Sequence, residues 1–210
     1  MLETITAFLD WFGVCVFAMT GALVASRKQM DIVGFALMGS VAGIGGGTIR
    51  DVLLGVTPVF WVQKPAYLIT CLVVSSATFF GAGFMQSRYR YLLWLDAVGL
   101  ALFAVTGAST ALNHGAGATI AIAMGVATAT FGGIIRDILG GESPVILSRE
   151  IYITAALLGA GTYVGLMELG TTQDVAVVTG FASAFVLRSA ALAWQLSLPR
   201  YRPRLNKDVN

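Results

Sequence analysis

The sequence predicts an all-α integral membrane protein of seven transmembrane helices, arranged as an inverted 3+3 repeat plus one extra helix. Three observations lead there. Of 210 residues, 57% are hydrophobic and only 11% charged, against about 25% charged in a soluble domain. The apolar residues fall in seven long runs separated by short polar breaks. Part of the first half also returns in the second half at a constant shift of 86 residues. The composition excludes a water-soluble enzyme and a disordered chain. It also argues against nucleic acid as a partner, since a scattered net charge of +2 offers no phosphate-tracking surface.

A spanning helix needs roughly 20 mostly apolar residues to cross a hydrocarbon layer of about 30 Å. The runs that qualify are 8–26, 31–49, 66–85, 91–112, 117–136, 151–168 and 174–197. Arg27-Lys28-Gln29 ends the first, and Pro58 with Pro65 marks the gap after the second. Gln86-Ser87-Arg88-Tyr89-Arg90, Asn113-His114-Gly115 and Gly140-Gly141-Glu142-Ser143-Pro144 make the next three breaks. Strands of a membrane barrel would alternate in polarity over about ten residues, whereas these runs are continuous. Residues 1–10 hold Glu3 and Asp10 and no Lys or Arg, so they do not read as a cleavable signal peptide. Cys15 and Cys71 sit in apolar runs and read as buried small hydrophobes.

Basic residues orient the chain. Arg27, Lys28, Arg88, Arg90, Arg149, Arg200, Arg202, Arg204 and Lys207 fall on one side of a seven-span chain, and only Lys64 clearly on the other. Arg50, Arg136 and Arg188 lie within spans or at their ends. The expectation is a cell-membrane protein with its N-terminus outside and its C-terminus in the cytoplasm.

The repeat is visible residue by residue. Asp10-Trp-Phe-Gly-Val-Cys-Val-Phe-Ala-Met-Thr-Gly-Ala22 returns as Asp96-Ala-Val-Gly-Leu-Ala-Leu-Phe-Ala-Val-Thr-Gly-Ala108. The same shift carries Gly46-Gly47-Thr-Ile-Arg50-Asp51 onto Gly132-Gly133-Ile-Ile-Arg136-Asp137, and over 45–59 against 131–145 nine of 15 positions are identical. The expected organisation is a first three-helix repeat over 1–85 and a second over 86–171. A seventh helix over 172–197 and a basic tail over 198–210 follow. Three spans per copy is an odd number, so the second copy enters the membrane from the opposite side. Such inverted pairs are typical of proteins that move solutes near the repeat interface.

Within each copy the middle span carries glycines followed by an Arg-Asp pair. Glycine costs about 1 kcal/mol in a helix relative to alanine, so Gly45, Gly46, Gly47 and their counterparts Gly132 and Gly133 are expected to break the helix and expose backbone oxygens to an ion pathway. Close helix crossing is the alternative reading. On the pathway reading, leucine at Gly46 or Gly133 narrows the path while the protein still assembles. Arg50, Asp51, Arg136 and Asp137 are costly, roughly 2.5–3.5 kcal/mol each near a helix centre, and are expected to line the pathway or gate it. Neighbouring residues do not face each other on a helix, so pairing across the repeat, such as Arg50 with Asp137, is one expected arrangement. Thr20 and Thr106 are weaker candidates, able either to supply an oxygen or to bond back to the preceding turn. Asp10 and Asp96 read as helix N-terminal residues. Tyr67, Trp61, Tyr91, Trp94, Tyr152 and Tyr201 read as an interfacial belt, and His114 as a loop residue.

Enzyme motifs are absent. Gly43-Ile-Gly-Gly-Gly-Thr48 fails the dinucleotide fingerprint and no phosphate loop follows. One histidine and two separated cysteines do not build a zinc centre in the usual way. The expectation is a protein that is not an enzyme, with no cofactor and no resident metal, moving solute passively or on an ion gradient.

The paired Gly-Gly-x-x-Arg-Asp elements in three plus three plus one spans resemble the prokaryotic branch of the trimeric intracellular cation (TRIC-type) channels, over about residues 5–197. The resemblance implies a homotrimer in membrane lipid, each subunit enclosing its own pore for monovalent cations, chiefly potassium bound transiently. It also implies second and fifth spans kinked at Gly45, Gly46 and Gly47 and at Gly132 and Gly133. Animal members carry Lys-Glu-Val where this chain has Arg50-Asp51-Val52, a departure that touches their lipid regulation. Related bacterial sequences are also described as glycine transporters. Two functions follow: a potassium channel with a wet path between the repeats, or a secondary carrier of glycine or a similar small amino acid, its carboxylate held by a helix N-terminus and Arg. A purely structural role leaves the paired buried charges unexplained.

Overall fold

The computed structural model describes residues 2–84, 88–147 and 151–197. The tail 198–210, Arg149 and the Gln86-Ser87 break lie outside the described residues. Among the described residues the chain is helical: α1 Leu2–Arg27, α2 Ile32–Leu53, a single turn α3 Phe60–Gln63, α4 Ala66–Gly81, α5 Arg88–Asn113, α6 Ala118–Leu139, α7 Ile153–Glu168 and α8 Gln173–Trp194. Short 3₁₀ turns follow at Ala82–Phe84 and Val145–Leu147. Five of these helices (α1, α2, α5, α6 and α8) are long and apolar enough to cross a membrane, and α4 and α7 are shorter apolar helices of 16 residues. At 1.5 Å per residue the 22-residue helices rise about 33 Å and the 16-residue ones about 24 Å.

Local signals set the ends. Asp31 caps α2 by accepting from the Gly34 N–H at 2.8 Å. α2 and α6 end alike: Gly55 and Gly141 adopt φ of +69° and +64°. Val56 N–H bonds back to Asp51 C=O at 2.8 Å, and Glu142 N–H to Asp137 C=O at 2.9 Å. The left-handed residue just past a helix satisfies its last carbonyls, a conformation open to glycine at little cost.

The expected break at the glycines is absent. α2 and α6 run without interruption through 45–47 and 132–133 and on through Arg50-Asp51 and Arg136-Asp137. An unmade backbone hydrogen bond in lipid costs several kcal/mol, more than glycine's propensity deficit. The glycines here let backbones touch. A Cβ on Gly46 would collide with the Thr128 carbonyl oxygen, and one on Gly132 would come 2.5 Å from that of Ala42. A leucine at 46 therefore forces α2 and α6 apart, which overturns the expectation of a normally assembled variant with a narrowed path.

These contacts are reciprocal at the shift of 86. Residues 46 and 128 meet, as do 132 and 42, so α2 and α6 cross antiparallel. α1 and α5 repeat the arrangement: a Cβ on Gly13 would strike the Phe103 ring, and one on Gly99 the Phe17 ring. Phe17 and Phe103 themselves stack at 5.1 Å. The four helices α1, α2, α5 and α6 form the centre, with α4 packed on α1 and α2, and α7 and α8 on α5. At one end Arg27 pairs with Glu142 at 3.1 Å and lies over the Tyr89 ring at 4.8 Å. The breaks after α1, before α5 and after α6 therefore share a face.

Candidate functional site

Both Arg-Asp pairs lie in the last turn of their helices and are buried: Arg50 is 4% and Asp51 1% exposed, Arg136 0% and Asp137 4%. The pairing is within each neighbour pair, not across the repeat. Arg50 Nε donates to Asp51 Oδ1 at 2.8 Å and Arg136 Nε to Asp137 Oδ1 at 2.9 Å. Arg50 with Asp137 is not among the ion pairs of the described residues. The facing rule holds for short side chains, but the arginine stem is long enough to fold back along the helix. Each aspartate is held from the other side too. Asp51 Oδ2 accepts from Phe60 N–H at 2.8 Å, and Asp137 Oδ2 from Val145 N–H at 3.1 Å. The Arg-Asp pair thus ties the helix end to the turn that follows it.

In the second half, Arg136 gathers more. Its Nη1 donates to Asp96 Oδ1 at 2.8 Å and to Thr20 Oγ1 at 2.9 Å. Asp96 is fully buried on α5, and Thr20 comes from α1, so the site joins the two copies. Thr20 also bonds back to Phe17 C=O at 2.7 Å, the bond to the preceding turn expected of its hydroxyl. Around this cluster, a Cβ on Gly133 would stand 3.0 Å from the Tyr152 hydroxyl and 3.5 Å from Arg136 Nη2. Glycine at 133 thus leaves room for the arginine and the tyrosine. Arg188 of α8, also fully buried, lies over the Tyr152 ring at 5.0 Å and approaches Ile151 C=O at 3.4 Å.

In the first half, Arg50 lies over the Phe60 ring at 5.6 Å. That ring packs edge-on to Tyr67 at 4.9 Å, and Trp11 stacks on Tyr67 at 3.9 Å. Gly47 makes space for Phe60, whose ring a Cβ would meet at 2.7 Å, while a Cβ on Gly45 would stand 3.4 Å from Ile135 Cδ1 across the crossing. Asp10 stands beside Tyr67, Thr106 and Arg50. Trp61 donates to Thr48 Oγ1 at 3.0 Å.

Several expectations change here. Asp96 is not a helix-end residue: α5 begins at Arg88, two turns earlier, and its carboxylate binds Arg136. Asp10 is likewise interior to α1. Tyr67 and Tyr152 are buried at 6% and 2% exposure and serve the two clusters, not an interfacial belt. Tyr91 and Trp94 are exposed as a belt requires, and Tyr201 lies outside the described residues. The sequence carried one signal for Asp96, since the repeat aligns it with Asp10 inside apolar runs where a charge is expensive. Arg188 has no counterpart in the repeat.

A family model described as "Glycine transporter" matches residues 7–82 and again 93–168, two copies offset by the same 86 residues. The chain belongs to this family. A membrane protein of Vibrio cholerae is 40% identical over 206 residues, covering 95% of this chain and 84% of that protein. The inner membrane protein YadS of Escherichia coli is 40% identical over 199 residues, 92% and 95% of the two chains. Among solved structures, the TRIC trimeric intracellular cation channel orthologue from Rhodobacter sphaeroides superposes with a TM-score of 0.91 at 67% identity, covering 92% of this chain and all of that one. A prokaryotic TRIC channel crystallised in 0.5 M KCl superposes at 0.86 with 31% identity, over 93% and 100%. The chain is thus a prokaryotic TRIC-type family member, and these relatives are membrane proteins.

Proposed function

We propose that this protein is a passive channel for monovalent cations, chiefly potassium, with a pore inside each subunit of a homotrimer. The 67% identity to a TRIC cation-channel orthologue over nearly the whole chain carries the reading. The internal geometry agrees with it. The antiparallel, reciprocal crossing of α2 with α6 and of α1 with α5 is what an inverted repeat of three spans each produces, a two-fold relation in which i meets j and j meets i. α8 is then the seventh span, the N-terminus lies outside, and the face holding Arg27 and Glu142 is cytoplasmic. On this reading the two Arg-Asp pairs sit towards opposite ends of the path, with Gly46 and Gly132 at its waist. Gly45, Gly47 and Gly133 give room to the side chains beside it.

Arg136, bound to Asp96, Asp137 and Thr20, holds the inner end shut, and its release lets cations pass. Purified protein in planar bilayers under a potassium/sodium gradient is expected to give unitary currents that reverse towards the potassium potential, and its mass in detergent to be that of three copies. Saturable glycine uptake without unitary steps would overturn the channel in favour of the carrier.

A further inference from the structure

In the second half one cationic nitrogen is held by two oxygens, with Arg136 Nη1 at 2.8 Å from Asp96 Oδ1 and 2.9 Å from Thr20 Oγ1. A carboxylate and a hydroxyl converging on one positive centre are the hard oxygen ligands that an alkali cation accepts in place of water. The repeat supplies the same pair again. Shifted by 86 residues, Asp96 becomes Asp10 and Thr20 becomes Thr106, on α1 and α5, and Thr106 with Tyr67 stands against Asp10.

The cation is what differs. Arg50 Nε and Nη2 both bind Asp51, at 2.8 and 2.7 Å, and its guanidinium rests over Phe60. Arg50 stands near Asp10, but among the described residues Asp10 enters no ion pair. Thr106 is 3% exposed and its hydroxyl oxygen falls short of hydrogen-bond geometry with any partner. That hydroxyl borders a carboxylate whose twin already holds a positive charge.

We infer that Asp10 and Thr106, with Tyr67 beside them, form a binding site for a monovalent cation at the outer end of the pathway, and that Arg136 fills the equivalent inner site as a tethered cation. Arg50, neutralised by Asp51, leaves the outer site open to ions from solution. The inference deepens the channel reading and rests on it for the site's place on a pathway, but the binding itself does not require conduction.

Thallium(I), a heavy stand-in for potassium, tests it on the full-length protein. Crystals soaked in a thallium salt are expected to show an anomalous peak at Asp10 in the natural protein and none in Asp10→Asn. Thr106→Val, which removes only the hydroxyl, weakens thallium binding on the order of fivefold, the effect of one ligating contact of about 1 kcal/mol. In bilayers Asp10→Asn lowers potassium conductance and the preference for potassium over chloride. No peak at Asp10 in a protein that conducts, or Asp10→Asn currents equal to the natural ones, would overturn the site. A thallium peak at Asp10 in a protein that carries no current would uphold the site and sink the channel reading instead.

Discussion

Arg50 and Arg136 stand 86 residues apart in the chain, each four residues beyond the glycine at which α2 and α6 cross, and each binds the aspartate that follows it. Beyond that shared core their surroundings diverge. Arg136 extends to Asp96 and Thr20, so one guanidinium serves two carboxylates and a hydroxyl from three helices. Arg50 turns to an aromatic ring and stands near Asp10 without pairing with it, while Tyr67 and Thr106 lie against that carboxylate. The second half alone also receives Arg188 from α8, over Tyr152. Two copies of one sequence element thus yield one cluster closed on an arginine and one in which the arginine stays with its own aspartate. An internal repeat supplies matching side chains, and the neighbours outside the match decide what those side chains bind. The eighth helix, added to only one side of the pair, is where the symmetry ends.

The largest effect expected from this contrast is on stability. Arg136→Ala leaves Asp96 and Asp137 buried without their cation, and removing one partner of a buried pair costs about 3–5 kcal/mol. Arg50→Ala strands one carboxylate, Asp51, which keeps the Phe60 amide, so its cost is smaller. Thermal unfolding of the two variants in detergent is expected to rank Arg136→Ala well below Arg50→Ala. Equal losses would mean that the two clusters are equivalent after all.

Where the halves agree, substitutions should agree too. Gly46→Ala and Gly132→Ala each drive a Cβ onto a carbonyl oxygen of the partner helix, an overpacking cost of about 1–3 kcal/mol. The expected outcome is a matched loss of thermal stability in both. A large loss at one and none at the other would break the reciprocity. The smallest effect belongs to the surface. Glu142→Gln removes the partially exposed pairs with Arg27 and Lys28 at 3.1 and 3.6 Å, worth under about 1 kcal/mol, and the difference is expected to vanish in high salt.

Much of this was readable beforehand, for identifiable reasons. Spans could be found because transfer into lipid is summed residue by residue, and the predicted 117–136 and the observed Ala118–Leu139 differ only at the ends. Reading Arg-Asp as a helix end shortened both middle spans, because an ion pair folded onto its own helix does not stop it. The glycines were legible as special, with close helix crossing as the alternative to a break, and only the partner helix in place shows that Gly46 and Gly132 take that alternative. Asp96 and Tyr152 were misread because their role is set by Arg136, 40 and 16 residues away in sequence.

From the chain alone came the duplication, the odd number of apolar runs in each copy and the placing of an arginine and an aspartate at the same point of both. These are local or self-comparing properties, written in hydropathy and spacing. The choice of partners came only with the packed helices: Thr20 reaching Arg136 across 116 positions, Arg50 turning to Phe60, Arg188 arriving over Tyr152. Burial forces every charge to find a counter-charge or a donor, and which one lies within about 3 Å is a question of helix position that sequence distance does not answer.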